Sequence, residues 1–213
     1  MCEGNAGLPP IFALAPGLEL ALASRSPRRR QFLEEWGLSY RMVSGGKTEP
    51  RPQAGEEPAA YARRAARSKA LDAAAAGCGG AGRILLAADT IVALGADILG
   101  KPDHSGQALA MLRRLSGRTH EVISAVCLLG PDGEEVVFHD TSRVRFAAWP
   151  EEVLRAYVAT GEPDDKAGAY AVQGQGAFLV EAVEGSWSTV VGLPVTQLAR
   201  EMLARGWLRP LAG

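Results

Sequence analysis

The run from Arg83 to Leu94, R-I-L-L-A-A-D-T-I-V-A-L, constrains the fold more than any other stretch of the chain. A nearly continuous apolar run of this length is typical of a strand that is buried on both faces of a sheet. One carboxylate, Asp89, interrupts it. A carboxylate in such a strand is costly unless it is paired, bound to a metal or used in a reaction. Asp89 is therefore the strongest single candidate for a functional residue, and the alternative is an aspartate at a strand end that bonds a neighbouring turn.

A second informative stretch passes directly from a strand into a helix. The apolar run 18–23 has strand length, and the spacing of apolar residues then becomes helical up to residue 36. Ser26 followed by Pro27 is the order expected of an N-cap and a first-turn proline. The run 28–30 then places three arginines in the first turn, where the helix dipole disfavours positive charge. The serine hydroxyls, free N–H groups and guanidinium groups together predict a polyphosphate cradle, and the alternative is capping serines beside solvated arginines.

The remaining segments predict an α/β architecture. We predict further helices at 58–76, 105–115, 150–160 and 194–204, strands at 39–44, 98–99 and 177–183, and a hairpin of 119–129 with 135–147. The fold class is therefore α/β, with a mixed, strongly twisted sheet flanked by helices. Residues 1–17 are interpreted as a loose N-terminal extension and residues 18–213 as a single domain, because no repeat or linker divides the rest.

Composition excludes several classes of partner and site. The net charge of -1 gives no general attraction for nucleic acid or for an anionic membrane, so phosphate binding must come from basic groups placed locally. The cysteines at 2, 78 and 127 are odd in number and widely spaced, which argues against a disulfide framework and suits a reducing cytoplasm. The histidines at 104, 120 and 139 lack ligand spacing, so we expect ordinary structural or surface roles for them.

Three isolated lysines and one loop carboxylate complete the set of candidate residues. Lys69, Lys101 and Lys166 stand in apolar or glycine-rich surroundings, where each is either a surface residue or a ligand for an anion at the mouth of the sheet. Glu49 lies in a loop rich in glycine and proline. A nucleoside triphosphate with its Mg²⁺ would explain these residues together, because hard divalent cations bridge phosphate to one or two carboxylates. Glu49 and Asp89 are the available pair.

Several motifs resemble those of the Maf family of nucleoside triphosphate pyrophosphatases. They are LASRSPRR at 22–29, ADTIV at 88–92, GKP at 100–102, MLRRLSGRTH at 111–120, GEPDDKAGAY at 161–170, VQG at 172–174 and VVGLP at 190–194. The resemblance extends over about residues 18–205. It implies hydrolysis between the α and β phosphates of a nucleoside triphosphate with a divalent cation, Mg²⁺ or Mn²⁺. It also implies a mixed sheet with two lobes around a deep cleft, a Maf-like catalytic domain from residue 18 onward, and a homodimer.

The resemblance also assigns roles to residues. Asp89 matches the family's proton acceptor, and Glu49 matches a motif glutamate; both are expected to bind the metal. The expected catalytic residues are Asp89, Lys101, Glu49 and Lys69, and the expected substrate-binding residues are Ser24, Arg28, Arg29, Thr90, Lys166 and Gln173. Two departures from the family pattern are Arg25, where a small residue is usual and which we expect to point to solvent, and Lys47, which leaves the number of metal ions open.

Arg28, Thr90 and Gln173 resemble the class of the family that acts on dTTP and UTP, rather than a sister class that acts on 7-methyl-GTP. The carboxamide of Gln173 offers a donor and an acceptor, which matches O4 and N3–H of uracil or thymine. The sequence thus predicts a pyrophosphatase for dTTP, UTP and modified uridine triphosphates. The same reaction on another base, or a nucleotide-binding regulator of cell division with little turnover, are the alternatives.

Overall fold

The computed structural model describes residues 9–44 and 50–211. The strands are β1 Phe12–Leu14, β2 Glu19–Leu22, β3 Arg41–Met42, β4 Arg83–Leu94, β5 Asp97–Leu99, β6 Thr119–Leu129, β7 Glu135–Phe146, β8 Val180–Glu184 and β9 Leu208–Pro210. The helices are α1 Pro27–Glu35, α2 Pro58–Ala73, α3 Ser105–Leu115, α4 Glu151–Val158, α5 Trp187–Val191 and α6 Val195–Ala204. A π turn, Ala74–Cys78, follows α2, and 3₁₀ turns occupy Glu162–Asp165, Ala167–Ala169 and Gly174–Leu179.

The main sheet has seven strands in the order β3-β2-β4-β6-β7-β8, with β5 beside the end of β4. The strand β2 pairs in parallel with β3 and β4, whereas the pairs made by β6 and β7 are antiparallel. The sheet is therefore mixed and carries helices on its faces, which confirms the predicted α/β class. Among the residues described, no helix has the length and apolar character needed to cross a membrane.

The central strand β4 is buried on both faces, as its sequence predicts. Ile84, Leu86 and Ala88 join a core cluster that includes side chains of α1 and α6. Leu85 and Ala87 join a second cluster on the opposite face with side chains of α2. Because side chains alternate along a strand, Asp89 belongs to the α2 face and Thr90 to the α1 face.

The helix α2 packs on the sheet through alanines. Its side chains at 62, 65, 66, 70 and 73 are all fully buried alanines. Small side chains at the contact let the helix backbone approach the sheet closely, in keeping with the dense packing of protein interiors. Lys69, on the same helix, consequently reaches the carboxylate of Asp89.

An interval in the pairing of β4 makes room for a cleft. On the edge opposite β6, the strand pairs with β2 over residues 83–86 and with β5 over residues 92–94. The interval 87–91 between these partners contains Asp89 and Thr90. The chain leaves β2 for α1 beside this interval, and the N–H of Ala23 donates to the carbonyl of Leu86 at 2.8 Å.

Two local predictions require correction. The segment Phe12–Leu14 is not loose, because it forms β1 and pairs antiparallel with β9. The Phe12 ring also packs edge-on against Trp36, with ring centroids 5.4 Å apart. The strand predicted at 177–183 begins only at Val180, because a 3₁₀ turn occupies Gly174–Leu179.

Candidate active site

A cleft of about 700 Å³ opens at the interval in β4. It brings together nine of the predicted site residues: Ser24, Arg28, Arg29, Lys69, Asp89, Thr90, Lys101, Lys166 and Gln173. They come from the β2–α1 turn, the first turn of α1, α2, β4, the segment after β5 and the loop 161–176. The tenth, Glu49, lies outside the described residues, as do residues 1–8.

The cleft is strongly positive although the chain as a whole is nearly neutral. Its described lining contains six cationic side chains, at 25, 28, 29, 69, 101 and 166, and two carboxylates, at 89 and 165. The whole chain, by contrast, has a formal net charge of -1. A concave surface with an excess of one sign of charge raises the local concentration of the opposite ion. The cleft is therefore suited to an anion that carries several charges.

Asp89 and Lys69 form an ion pair within the cleft. The Asp89 residue is 2% exposed, and the Lys69 amine donates a hydrogen bond to its Oδ1 atom. An ammonium group beside a carboxylate favours the ionised form of the acid. The ionised form is the one that accepts a proton from water. The ion pair thus offsets the free-energy cost of burying a carboxylate in the strand. Asp89 also lines the cleft, where a bound ligand can reach it.

On the opposite face of β4, the Arg29 guanidinium connects four segments. Its Nη1 atom donates to the Ser24 hydroxyl at 3.1 Å and to the Ala88 carbonyl at 2.9 Å. Its Nη2 atom donates to the Thr90 hydroxyl at 2.9 Å, and Nε donates to the Gly192 carbonyl at 2.8 Å. These four acceptors are uncharged, and together they hold the side chain in place. Arg29 therefore links these segments to one another and also forms part of the cleft wall.

Backbone carbonyls compensate part of the positive charge of the arginines at the N-terminus of α1, which the sequence did not reveal. Arg28 donates from Nε to the Val191 carbonyl at 3.2 Å, next to the carbonyl that accepts from Arg29. Both carbonyls lie at the end of α5, and cations are favoured near the C-terminal carbonyls of a helix. A bound anion is consequently not the sole compensation for the arginines. The predicted convergence of three guanidinium groups is wrong for Arg30, which does not line the cleft and instead contacts the Met42 sulfur at 3.8 Å.

The loop 161–176 forms another wall of the cleft. The Lys166 amine donates to the Glu162 carbonyl at 2.7 Å and to the Asp165 carboxylate at 2.6 Å. The loop docks on the segment after β5, because the Gly168 N–H donates to the Gly100 carbonyl at 3.0 Å, next to Lys101. A Cβ atom at Gly168 would lie 2.9 Å from a methyl group of Val92, so the backbone there is pressed onto β4. This docking places the loop beside β4.

Three functional features escaped the sequence analysis. Arg25 is exposed, as expected, but it also lines the cleft. Its position within the same strand-to-helix turn as Ser24 was the available signal. Glu162, which was not among the predicted site residues, accepts hydrogen bonds from the backbone N–H groups of Gln175 and Gly176 in the loop. A glutamate in a loop carries no distinguishing sequence pattern.

The third feature is a buried pair behind the cleft wall. His120 Nε2 lies 2.8 Å from the hydroxyl of Tyr170, and Tyr170 lines the cleft. The His120 ring packs edge-on against Phe146, with centroids 5.0 Å apart. Burial lowers the pKa of His120 to about 4, so the imidazole is neutral at neutral pH. This matches the structural role expected for the histidine, although not its contact with a residue of the cleft.

The cleft was also tested as a metal site. Within residues 9–44 and 50–211, no group of three or more His, Cys, Asp or Glu side chains is arranged to hold a metal by itself. A hard divalent cation, however, commonly binds through one or two carboxylates and the phosphates of its substrate. The Asp89 carboxylate, in a cleft suited to polyphosphate, fits a cation shared with the substrate.

Sequence comparison decides the family. The model of the Maf-like protein family matches residues 19–205. The chain belongs to the Maf family. A Maf relative described as a dTTP/UTP pyrophosphatase, from Nitratidesulfovibrio vulgaris, is 54% identical over 185 residues, which cover 87% of each chain. Another dTTP/UTP pyrophosphatase, from Oleidesulfovibrio alaskensis, is 49% identical over 206 residues, covering 94% of this chain and 90% of that protein.

Among solved structures, this Maf chain is distantly similar to a nucleoside-triphosphatase, a dITP/XTP pyrophosphatase from Mycobacterium abscessus. The two chains are 20% identical with a TM-score of 0.41, and the match covers 88% of this chain and 94% of the other.

Proposed function

We propose that this protein hydrolyses dTTP and UTP, and modified uridine triphosphates, to the nucleoside monophosphate and pyrophosphate. The observation that carries the proposal is the buried Asp89–Lys69 pair within a cleft that six cationic side chains line. This combination supplies a proton acceptor and a binding site for polyphosphate in one cavity. Relatives named dTTP/UTP pyrophosphatases, 54% and 49% identical over most of their length, support the choice of substrate.

The reaction follows from the positions of these groups. Asp89 accepts a proton from a water molecule as the water oxygen attacks the α phosphorus. The bond between that phosphorus and the bridging oxygen to the β phosphate then breaks, and pyrophosphate leaves. Lys101, Lys166, Arg28 and Arg29, which all line the cleft, stabilise the negative charge on the phosphoryl oxygens.

A divalent cation, Mg²⁺ or Mn²⁺, completes the proposed site. Asp89 would be its ligand among the described residues, and Glu49 would be the second ligand implied by the family resemblance. When bound, the ion neutralises phosphate charge and lowers the pKa of a coordinated water. Lys69 remains beside Asp89 and keeps the carboxylate ionised, which both metal binding and proton transfer require.

Base selection is assigned to Gln173. Its side chain lines the cleft, and it makes no hydrogen bond to any other residue in the described part of the chain, so its donor and acceptor are available to a ligand. The pattern matches O4 and N3–H of uracil or thymine, whereas cytosine presents the reverse pattern. A site that leaves buried polar groups unpaired can reject a substrate by several orders of magnitude.

A nucleotide panel with separate detection of phosphate and pyrophosphate tests the proposal. dTTP and UTP are expected to be hydrolysed with pyrophosphate as the released product, and CTP is expected to be a poor substrate. Preference for 7-methyl-GTP or a damaged purine would contradict the assignment of Gln173. Tight nucleotide binding with negligible turnover at saturating Mg²⁺ or Mn²⁺ would contradict the enzymatic activity and favour a regulatory role.

For the assembly and location of the protein, we extend the proposal to a homodimer in the cytoplasm. The dimer rests on the family resemblance, and sedimentation or light scattering tests it. Cys78 and Cys127 are both free, which is compatible with a reducing compartment. The near-neutral net charge supports a small-molecule substrate rather than nucleic acid.

A further inference from the structure

Glu162 has an unusual set of partners in the loop that carries Gln173. Its Oε1 atom accepts the N–H of Gln175 at 3.1 Å, and its Oε2 atom accepts the N–H of Gly176 at 2.8 Å. A carboxylate that accepts backbone N–H bonds forms strong, charge-assisted contacts. Both donors lie within three residues of Gln173, on its C-terminal side.

A tyrosine beside the same carboxylate holds the N-terminal side of Gln173. The Tyr157 hydroxyl accepts the N–H of Ala171 at 3.2 Å. Burial raises the pKa of Tyr157, and the nearby Glu162 carboxylate raises it further, so the hydroxyl stays protonated. The backbone is thus fixed on both sides of Gln173, at residues 171, 175 and 176.

Gly174 shows how closely the loop wraps around the carboxylate. It has φ +75°, and a Cβ atom at this position would lie 2.3 Å from Glu162 Oε1. The left-handed conformation and the lack of space both require glycine. The turn after Gln173 is therefore shaped to the Glu162 carboxylate.

The main chain of Glu162 serves the other end of the loop. Its carbonyl accepts from the Lys166 amine at 2.7 Å, on the wall proposed to bind phosphate. The side chain and the main chain of one residue thus hold two different parts of the cleft. A substitution of the side chain retains the carbonyl and so separates the two effects.

From these contacts we infer that Glu162 is a positioning residue for base selection: its carboxylate fixes the backbone at Gln175 and Gly176 and thereby aims the Gln173 carboxamide. The inference rests on the proposed function, since it concerns how that site distinguishes uracil and thymine from cytosine. Because Glu162 acts through Gln173, it contributes to the ratio of rates on different bases rather than to the chemical step.

The variant Glu162→Gln tests this role. Glutamine has nearly the same size but a single acceptor oxygen, so it cannot accept from Gln175 and Gly176 through two separate oxygens as the carboxylate does. We expect the ratio of kcat/KM for UTP over CTP to fall about tenfold. This change corresponds to the free energy of roughly one charge-assisted hydrogen bond. Inhibition by pyrophosphate is expected to change less than about twofold, because the Lys166 contact uses the main-chain carbonyl.

The matched control is Glu152→Gln, an exposed glutamate in the first turn of α4. It removes the same charge without touching the loop, so its UTP to CTP ratio is expected to equal that of the wild type. Glu162→Asp, which keeps both oxygens on a shorter side chain, is expected to fall between the wild type and Glu162→Gln. Equal losses on UTP and CTP, or a ratio unchanged from the Glu152→Gln control, would overturn the inference.

Binding of UMP and CMP, measured by calorimetry on the same variants, keeps this test independent of turnover. If the wild type fails to hydrolyse UTP yet binds UMP more tightly than CMP, the proposed function fails while the Glu162 inference is still tested by the ratio of the Kd values. If the wild type binds both nucleotides equally, the inference fails.

Discussion

The two faces of β4 hold cations at the cleft in different ways. On the α2 face, Asp89 pairs with Lys69, so one charge meets its opposite. On the α1 face, Thr90 accepts from Arg29, whose other acceptors include the Ser24 hydroxyl and two carbonyls. Of these two adjacent residues of β4, Asp89 thus belongs to an ion pair. Thr90 belongs to a set of uncharged acceptors around one guanidinium group.

The difference indicates a division of labour. A guanidinium that donates to four fixed oxygens has little freedom to move, so the α1 face gives the cleft a rigid, positively charged wall. On the α2 face, the Lys69 amine lies beside the Asp89 carboxylate, and this carboxylate can accept a proton. We therefore expect changes on the α2 face to affect catalysis with little effect on folding, and changes on the α1 face to affect folding first.

The largest expected effect belongs to Asp89→Asn. The amide has nearly the same shape but cannot act as the proton acceptor, so kcat is expected to fall by about 10³-fold while the protein stays folded. Pyrophosphate release and circular dichroism measure the two effects. Asp72→Asn, an exposed aspartate on α2, is the control for loss of a charge. Turnover close to that of the wild type in Asp89→Asn would remove Asp89 from the role of base.

Arg29→Lys tests the α1 face. Lysine cannot reproduce the planar set of donors, so several of the acceptors lose their partner, and the free energy of unfolding is expected to fall by about 3 kcal/mol. Urea denaturation measures it. Arg28→Lys is the comparison, because that guanidinium makes a single hydrogen bond, to Val191, among described residues, and its substitution is expected to cost about 1 kcal/mol. Equal losses in the two variants would show that the network around Arg29 adds no stability.

The pH dependence of stability extends the test to His120, which lies on the same face of β6 as Ser124, the neighbour of Thr90. Its pKa falls from 6.5 to about 4 on folding, so between these values the unfolded chain binds the proton and the folded protein does not. The stability from the neutral imidazole is present above pH 6.5 and is lost as the pH falls towards 4. Between pH 7 and pH 5 the loss is about 2 kcal/mol.

Phenylalanine at this position separates that contribution from other titrations. His120→Phe removes the proton-binding group and retains an aromatic ring beside Phe146, so the difference in stability between pH 7 and pH 5 is expected to shrink by about 2 kcal/mol. Urea denaturation at both pH values gives the difference for each protein. Identical pH dependence in the wild type and the variant would exclude His120 as its source.

The smallest expected effect is that of Arg25→Gln. This arginine lies at the rim of the cleft, is exposed, and makes no hydrogen bond or ion pair with another described residue. Contacts of exposed charges contribute little, so the KM for UTP is expected to rise about threefold with kcat unchanged. Arg30→Gln removes the same charge from a residue of α1 that does not line the cleft, and it should leave KM unaffected. A similar rise in both variants would indicate a general effect of charge.

Local patterns predicted many elements correctly, because their causes lie in neighbouring residues. The strand Arg83–Leu94 and the helix Ser105–Leu115 have the predicted bounds. Apolar periodicity and turn residues determine these elements within one segment of chain. The class of fold follows from the same signals, since a strand buried on both faces needs a packed layer on each side of the sheet, and helical segments along the chain supply those layers.

Long-range contacts of the backbone could not be predicted from the sequence. The carbonyls of Ala88 and Gly192 that accept from Arg29 belong to residues whose side chains carry no sign of this role. The pairing of β1 with β9 joins segments from opposite ends of the chain, and neither strand has a strong pattern of its own. Nine candidate site residues nevertheless line one cleft. Six of them are charged groups, which are conspicuous in the sequence without any knowledge of their partners, whereas Thr90 and Gln173 were suggested by the family resemblance.

The antiparallel contact of β1 with β9 has a practical consequence for rearranging the gene. Phe12 lies opposite Pro210, so β1 and β9, the first and last strands described, are adjacent. A short glycine-rich bridge between them, with the polypeptide reopened at the β6–β7 turn around Asp132, would give a circular permutant in which every ladder of the sheet can still form.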